Sequence, residues 1–247
     1  MKKLLGLAVL VLLTIASCTK DAEPGTVTLN FNHEVSSQSL FLDSMMYTSS
    51  AGHTFSIVNL NYYVSNFSLH NTDGKSHDTK TVHYRDASDD ATTSLILDKV
   101  PVGTYNKISF IYGLDAATNV NDGLDNTVTN QNMEWPIPGD QGYHYMKYEG
   151  RYDSLAMGII KSYNLHTGGT MGNQNFVEIT VDLPSNIEID NSSWNVNMVM
   201  DLNEWLQNPA IYDFAQFGQL IMMNQNAQEV LKGNGVNVYT CESVTKK

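Results

Sequence analysis

Hydrophobic and polar residues alternate along much of the chain, which is the pattern of half-buried β-strands. The clearest examples are residues 27–31 and the long run 55–69, which ends at the turn signal Asn71-Thr-Asp73-Gly74. Further strands are predicted at 95–97, 105–113, 143–148, 161–166, 176–183 and 194–202. Short strands separated by turn signals indicate a sandwich or a barrel. We expect a mostly β fold, an antiparallel β-sandwich with Greek-key-like connections.

Helical spacing is confined to the C-terminal part of the chain. Residues 219–232 place apolar side chains three or four positions apart, and Gly233-Asn234-Gly235 supplies an end signal. The sequence therefore predicts a short C-terminal helix. Residues 203–206 predict a helical turn ended by Asn208-Pro209, and the polar segment 119–132 is predicted to be a loop.

The first residues carry a targeting signal. Lys2 and Lys3 precede an apolar run of 12 residues, 4–15. A membrane-spanning helix needs roughly 20 apolar residues, so this run has the length of a signal-peptide core. It ends in Ile15-Ala-Ser-Cys18, which resembles a bacterial lipobox. We predict a signal peptide at 1–17, a lipidated Cys18 with a tether at 18–26, and one domain at 27–247; an ordinary secretory signal is the alternative.

The predicted anchor and the charge limit the partners. Thr19 rather than Asp follows the cysteine, which favours an outer-membrane lipoprotein facing the periplasm or the cell surface. Loss of Lys2 and Lys3 would change the formal charge from −12 to −14. Such a chain repels nucleic acid and anionic headgroups, so membrane contact is expected through the lipid anchor only. With Cys18 lipidated, Cys241 has no intramolecular disulfide partner, and it is predicted to be buried beside a strand.

One stretch of 19 residues, 133–151, concentrates oxidisable and metal-binding side chains. It contains Trp135, His144 and Met146, and strand alternation predicts His144 and Met146 on one face. Nitrogen and sulfur on one face suit a soft metal. His166 follows in a glycine-rich turn, and His33 ends the first strand. The alternative for His144 and His166 is an ordinary hydrogen-bonded histidine, for His33 an exposed polar residue, and for Trp135 a core anchor.

Several motifs, in order, resemble the MbnP-like family of copper-binding proteins, which are found beside methanobactin operons and di-haem peroxidases. They are Leu29-Asn-Phe31-Asn-His33, the run from Gly52 to Tyr62-Tyr63-Val64-Ser65-Asn66, the stretch 133–150, His166-Thr-Gly168 and Met223-Asn224. The resemblance covers essentially the whole mature chain. The Tyr-Tyr-Val-Ser-Asn motif and residues 135–150 are its most specific parts.

The resemblance implies a β-sandwich-like domain that binds copper. We predict His33, His144 and His166 as the metal ligands. The resemblance also implies a di-haem cytochrome c peroxidase-like partner, which in some members oxidises a tryptophan to kynurenine. Those members resemble Met-x-Trp-x-Trp-x-x-Gly-Tyr; here Trp135 occupies the first tryptophan position and Ile137 the second. Trp135 is therefore the redox-sensitive candidate, and this chain lacks the second tryptophan.

Other activities find little support in the sequence. No Gly-x-Ser-x-Gly, His-Glu-x-x-His or Gly-x-x-x-x-Gly-Lys motif occurs, so we expect a binding protein rather than an enzyme. The alternative function is a non-metal surface β-sandwich lipoprotein that binds a protein or a glycan, which 13 tyrosines and three tryptophans would suit. His53, His70, His77 and His83 lie in polar or turn-like stretches and are predicted to be solvated.

Overall fold

Two β-sheets pack across one large hydrophobic core in the computed structural model, which describes residues 23–137, 141–154 and 158–247. The predicted signal peptide, Cys18 and most of the tether lie outside the described residues. The strands are β1 (Gly25–Val35), β2 (Gln38–Ser39), β3 (Tyr47–Thr48), β4 (Thr54–Asn71), β5 (Ser76–Asp78), β6 (Val82–Asp86), β7 (Ser94–Val100), β8 (Gly103–Tyr112), β9 (His144–Asp153), β10 (Ile160–Gly168), β11 (Val177–Ile189), β12 (Ser193–Asp201) and β13 (Tyr239–Lys246).

The strand order confirms the predicted β-sandwich and adds one parallel pair. The five-stranded sheet runs β13-β12-β1-β2, with β7 also paired to β1. The eight-stranded sheet runs β10-β9-β4-β8-β11, with β3, β5 and β6 along β4. Strands β1 and β12 are parallel, with Val27 opposite Trp194, and the other named pairs are antiparallel. Parallel pairing joins strands distant in sequence, which local patterning does not reveal.

Strand β4 is the longest and divides the interior into two clusters. Successive side chains of a strand point to opposite faces, and Tyr62 and Tyr63 are both buried. Tyr62 belongs to the main core between the sheets, whereas Tyr63 belongs to a second cluster with Leu114, Met133, Tyr143 and Tyr145. This second cluster lies under the segment that carries Trp135 and His144.

The helices differ from the predicted ones: the C-terminal helix is shorter, and two short helices were not predicted. They are α1 (Val128–Asn132), α2 (Phe214–Phe217) and α3 (Gln225–Gly235), with 3-10 turns at Asp90–Thr92 and Glu204–Leu206. The predicted start at 219 is wrong, because the Asn224 side chain accepts from the Ala227 amide and caps the helix there. The predicted loop 119–132 likewise contains α1. No helix in the described ranges is long and apolar enough to cross a membrane.

Gly150 on β9 tests how tightly the eight-stranded sheet is packed. A Cβ at this position would lie 1.9 Å from the Ser56 carbonyl oxygen and 2.6 Å from the Tyr163 hydroxyl. We expect Gly150→Ala to lower the free energy of unfolding by about 1–3 kcal/mol or more, since the clash is with backbone. Gly233→Ala in α3 meets open space and should raise stability by about 1 kcal/mol. Denaturant unfolding of both variants measures this; equal effects would contradict the packing.

Candidate metal centre

Trp135 is folded back onto strand β9 by a short backbone pairing. The Trp135 amide donates to the Gly142 carbonyl at 2.9 Å, and the His144 amide donates to the Met133 carbonyl at 2.7 Å. Gly142 has a φ of 86°, a conformation that glycine adopts readily. The indole of Trp135 also packs on Gly168, where a Cβ would lie 2.5 Å from its Cζ3 atom. Trp135 is only 6% exposed.

Three rings meet at this point of the eight-stranded sheet. The centroids of Trp135 and His144 lie 4.8 Å apart, and those of His144 and His166 lie 4.9 Å apart with the imidazoles nearly perpendicular. His144 is buried, and the His166 side chain is 13% exposed. The structure therefore brings together Trp135, His144 and His166, three of the residues predicted from sequence. We call them the ring cluster.

A β-bulge decides which face of β9 carries His144. Thr167 pairs with Met146 and Gly168 pairs with His144, so Tyr145 is skipped in the register between β9 and β10. Such an extra residue shifts the following side chain to the other face. Met146 lies in the main core, whereas His144 contacts the ring cluster. The prediction that His144 and Met146 share a face is wrong, because simple alternation does not anticipate a bulge.

His166 is oriented by Glu149 and Gln228, two residues that the sequence analysis did not single out. Its Nε2 lies 2.6 Å from Oε1 of Glu149, on the neighbouring strand β9. Its carbonyl accepts from Nε2 of the fully buried Gln228 of α3 at 2.8 Å. Glu149 falls within the stretch 133–151 and could have been found as a carboxylate near the predicted histidines. Gln228 carries no such signal in the sequence.

Burial and neighbouring charges keep His144 neutral. Burial lowers the pKa of His144 to about 3, with further contributions from His166 and Lys147. The hydrogen bond from His166 lowers the pKa of Glu149, which opposes the effect of burial on that carboxyl. Burial also lowers the pKa of Lys147, whose ammonium donates to the Asn132 carbonyl. The site thus combines a neutral imidazole with a carboxylate that can orient the second one.

The hydrogen bonds engage one ring nitrogen of each histidine. Nδ1 of His144 lies 3.0 Å from the Met133 carbonyl oxygen, so it carries the proton and Nε2 keeps its lone pair. Nε2 of His166 donates to Glu149, and its Nδ1 makes no hydrogen bond to the described residues. A histidine that donates one ring N–H to a carboxylate or carbonyl while the other nitrogen binds metal is a recurrent arrangement. The residues present therefore fit a metal that accepts imidazole.

His33 lies apart from the ring cluster. It is on β1 in the five-stranded sheet, its Nε2 is 2.9 Å from the Tyr62 hydroxyl, and burial with nearby Arg85 lowers its pKa to about 3. Within the described ranges, no group of three or more His, Cys, Asp or Glu side chains is placed to hold a metal. A site using His33, His144 and His166 together would need His33 to leave its present position.

The other histidines and Cys241 occupy structural positions. His53, predicted to be solvated, is fully buried and lies 2.9 Å from Asp213, which caps α2. His83 stacks on Phe31, and His70 contacts the Ser109 hydroxyl at 2.7 Å. Cys241 is partly buried in β13, and burial raises the pKa of its thiol to about 11.

The fold and the ring cluster define a β-sandwich protein with a paired-histidine site beside a buried tryptophan. A family model described as MbnP matches residues 24–224, and the chain belongs to the MbnP family. Among solved structures, "MbnP from Methylosinus trichosporium" shares the fold, with a TM-score of 0.52 and 12% identity. That match covers 91% of this chain and 99% of the other. No curated protein matches the chain.

His144 should make stability depend on acid pH. Its folded pKa of about 3 lies below the ordinary 6.5, so the unfolded chain binds more protons between these values. Stability then rises with pH in this window, by up to about 1.4 kcal/mol per pH unit, and is complete above it. We expect His144→Gln to flatten the dependence of the unfolding free energy between pH 4 and 6 in urea titrations. Unchanged slopes would contradict the burial of a neutral His144.

Proposed function

We propose that this protein binds copper through His144 and His166, as an extracytoplasmic lipoprotein rather than as an enzyme acting on its own. The observation that carries the proposal is the meeting of the two imidazoles, 4.9 Å between centroids, each with one nitrogen hydrogen-bonded and the other without a hydrogen bond to the described residues. Imidazole suits copper in proteins. Membership of the MbnP family supports the same choice.

The carboxylate of Glu149 would act through His166 rather than on the metal. It fixes the ring orientation and the tautomer, and such outer partners typically change metal affinity by about 10- to 100-fold when removed. Asn59 donates to the second oxygen of Glu149 at 3.2 Å, which holds the carboxylate in turn. Copper, when bound, would supply the redox chemistry, while these residues orient the ligands and exclude water.

Trp135 is proposed as the residue that communicates with a redox partner. Its indole lies against His144, and its Nε1 is sealed from solvent without a hydrogen-bond partner in the described part of the chain. Trp205 instead lies in the main core, and Trp194 bonds to Glu188 and Ser192. A di-haem cytochrome c peroxidase-like protein is the proposed partner, from the family resemblance.

The place of action rests on the N-terminal sequence. Cys18 would carry the lipid anchor, and the protein would face the periplasm or the cell surface from the outer membrane. The first described residue, Glu23, lies two positions before the start of β1. The anchor would therefore join the sandwich through the residues between Cys18 and β1.

The alternative function, a non-metal module for a protein or glycan partner, has one supporting observation. Leu220 and Met223 are 70% and 68% exposed on the segment that precedes α3, and Leu220 bridges to Asn164 of β10. Exposed apolar residues that adjoin one another can mark a contact surface. The paired histidines favour copper binding, because a glycan or protein site does not require two imidazoles in contact.

Copper retention tests the ligand assignment. The purified protein, produced alone and together with the di-haem partner, is loaded with copper, desalted and analysed for metal. We expect about one copper per chain in the wild type and loss of it in the His144→Ala/His166→Ala variant, which lacks both ligands. His70→Ala, on the same sheet but away from the ring cluster, is the matched control and should retain copper.

Two outcomes would contradict the assignment. Full retention by the double variant would place copper elsewhere, and no retention by either wild-type preparation would favour the interaction module. The partly exposed His33 gives a further comparison, because His33→Ala should leave copper binding unchanged if two histidines suffice.

Intact mass and peptide mapping test the role of Trp135. After exposure to the di-haem partner and peroxide, we expect a mass gain matching conversion of tryptophan to kynurenine, confined to the peptide that contains Trp135. Trp135→Phe should remove the gain, whereas Trp194→Phe should not. A gain that maps to Trp194 or Trp205, or none at all, would exclude Trp135 from this chemistry.

A further inference from the structure

A cavity lies away from the ring cluster and has no part in the proposed copper site. It opens beside β1, the segment after β2 and the loop after β6, and its volume is about 620 Å³. Cavities of about 300–1,000 Å³ are typical of small-molecule sites. His33 and Arg85 line it, together with Leu40, Leu42, Ala87 and Asp90.

Arg85 is a buried cation without a buried anion. It is 4% exposed, and its Nε donates to the Phe31 carbonyl at 3.1 Å. Its Nη1 donates to the carbonyls of Asp86 and Asp89 and to the Thr92 hydroxyl. These acceptors are all uncharged, and within the described ranges no carboxylate forms an ion pair with Arg85. Burying an unpaired charge is costly, so an anion from outside would be stabilised here.

One guanidinium nitrogen remains available to such an anion. Nη2 of Arg85 makes no hydrogen bond to the described residues. This nitrogen is not completely buried. It therefore keeps contact with the cavity that Arg85 lines. A guanidinium N–H is a strong donor to a carboxylate.

The hydrogen bonds from Tyr239 through Tyr62 to His33 determine which nitrogen of His33 carries a proton, and so provide a second donor in the cavity. The Tyr239 hydroxyl lies 3.0 Å from the Tyr62 hydroxyl, which lies 2.9 Å from Nε2 of His33. Tyr239 has no other acceptor in the described part of the chain, so its hydroxyl donates to the Tyr62 hydroxyl. The Tyr62 hydroxyl in turn donates to Nε2 of His33. The neutral His33 must then carry its proton on Nδ1, which has no protein partner and is not sealed.

The remaining walls define the rest of the ligand. Leu40, Leu42 and Ala87 are partly buried and apolar, and they suit a short aliphatic chain. The exposed Asp90 adds a negative charge to the cavity. Like charges repel at short range, so a second negative group on the ligand is disfavoured, which argues against phosphate and dicarboxylates.

We propose that this cavity binds a small monocarboxylate with an apolar body, its carboxylate accepting from Nη2 of Arg85 and Nδ1 of His33. The same carboxylate chemistry occurs in a simple fatty acid and in an apolar amino acid. In the amino acid, the ammonium group would pair with Asp90. The site does not depend on copper or on the ring cluster.

Calorimetric titration of the purified protein tests the proposal, with 4-methylpentanoate as probe and 4-methylpentanamide as its uncharged counterpart. Removing Arg85 would also release the loop from Asp86 to Thr92, so the variant is Leu40→Asp, which adds a carboxylate to the cavity wall. We expect saturable binding of 4-methylpentanoate, at least about tenfold weaker in this variant, since the repulsion is worth about 1.4 kcal/mol or more. Phe41→Asp is the control, because Phe41 is 56% exposed and does not line the cavity.

Titration with leucine in place of 4-methylpentanoate distinguishes an apolar amino acid from a simple fatty acid as the ligand. Tighter binding of leucine would support the site and assign an amino acid; weaker binding would support it and assign a simple carboxylate. Binding of neither, equal binding of the amide, or unchanged affinity in Leu40→Asp would overturn the proposal.

Discussion

The alternation of Tyr62 and Tyr63 on β4 is the constraint on which both sites depend. Adjacent side chains of a strand must point to opposite faces, and here both are large aromatic rings that are fully buried. Tyr62 enters the main core and hydrogen-bonds toward His33. Tyr63 enters the second cluster, and its hydroxyl donates to Asn130 of α1 at 2.7 Å. Strand β4 thus supports the cavity lined by His33 and Arg85 on one side and the ring cluster on the other.

The second hydrophobic cluster holds His144 in position. Met133, Tyr143 and Tyr145 flank Trp135 and His144 in sequence and are all buried against Tyr63. Asn119 stabilises the same region, because its amide donates to the Tyr145 hydroxyl and its side-chain oxygen accepts from the Tyr143 amide. A buried, satisfied polar group of this kind holds its neighbours in a defined geometry. The ring cluster therefore rests on a rigid base rather than on a loop alone.

Burial keeps both His33 and His144 neutral, but their different neighbours suit them to different ligands. Burial lowers the pKa of His33 and of His144. His144 meets a second imidazole and an indole, which suits a soft metal ion. His33 meets a tyrosine hydroxyl and a buried guanidinium, which suits an oxygen anion. The residue type alone does not distinguish these outcomes; the neighbours supplied by other strands do.

The sequence by itself determined the period-two pattern, and with it most of the strands and the β-sandwich, and it singled out Trp135, His144 and His166 as candidate site residues. Those features depend on local alternation and on residue chemistry, which one chain displays directly. Only the tertiary structure decided the parallel pairing of β1 with β12, the bulge at Tyr145 that turns His144 away from Met146, and the separation of His33 from the other histidines. These depend on register between strands distant in sequence, where a shift of one residue exchanges the faces. The start of α3 was only partly predictable from the sequence. Asn224 is a recognisable N-cap residue, but the apolar spacing typical of a helix extends before it.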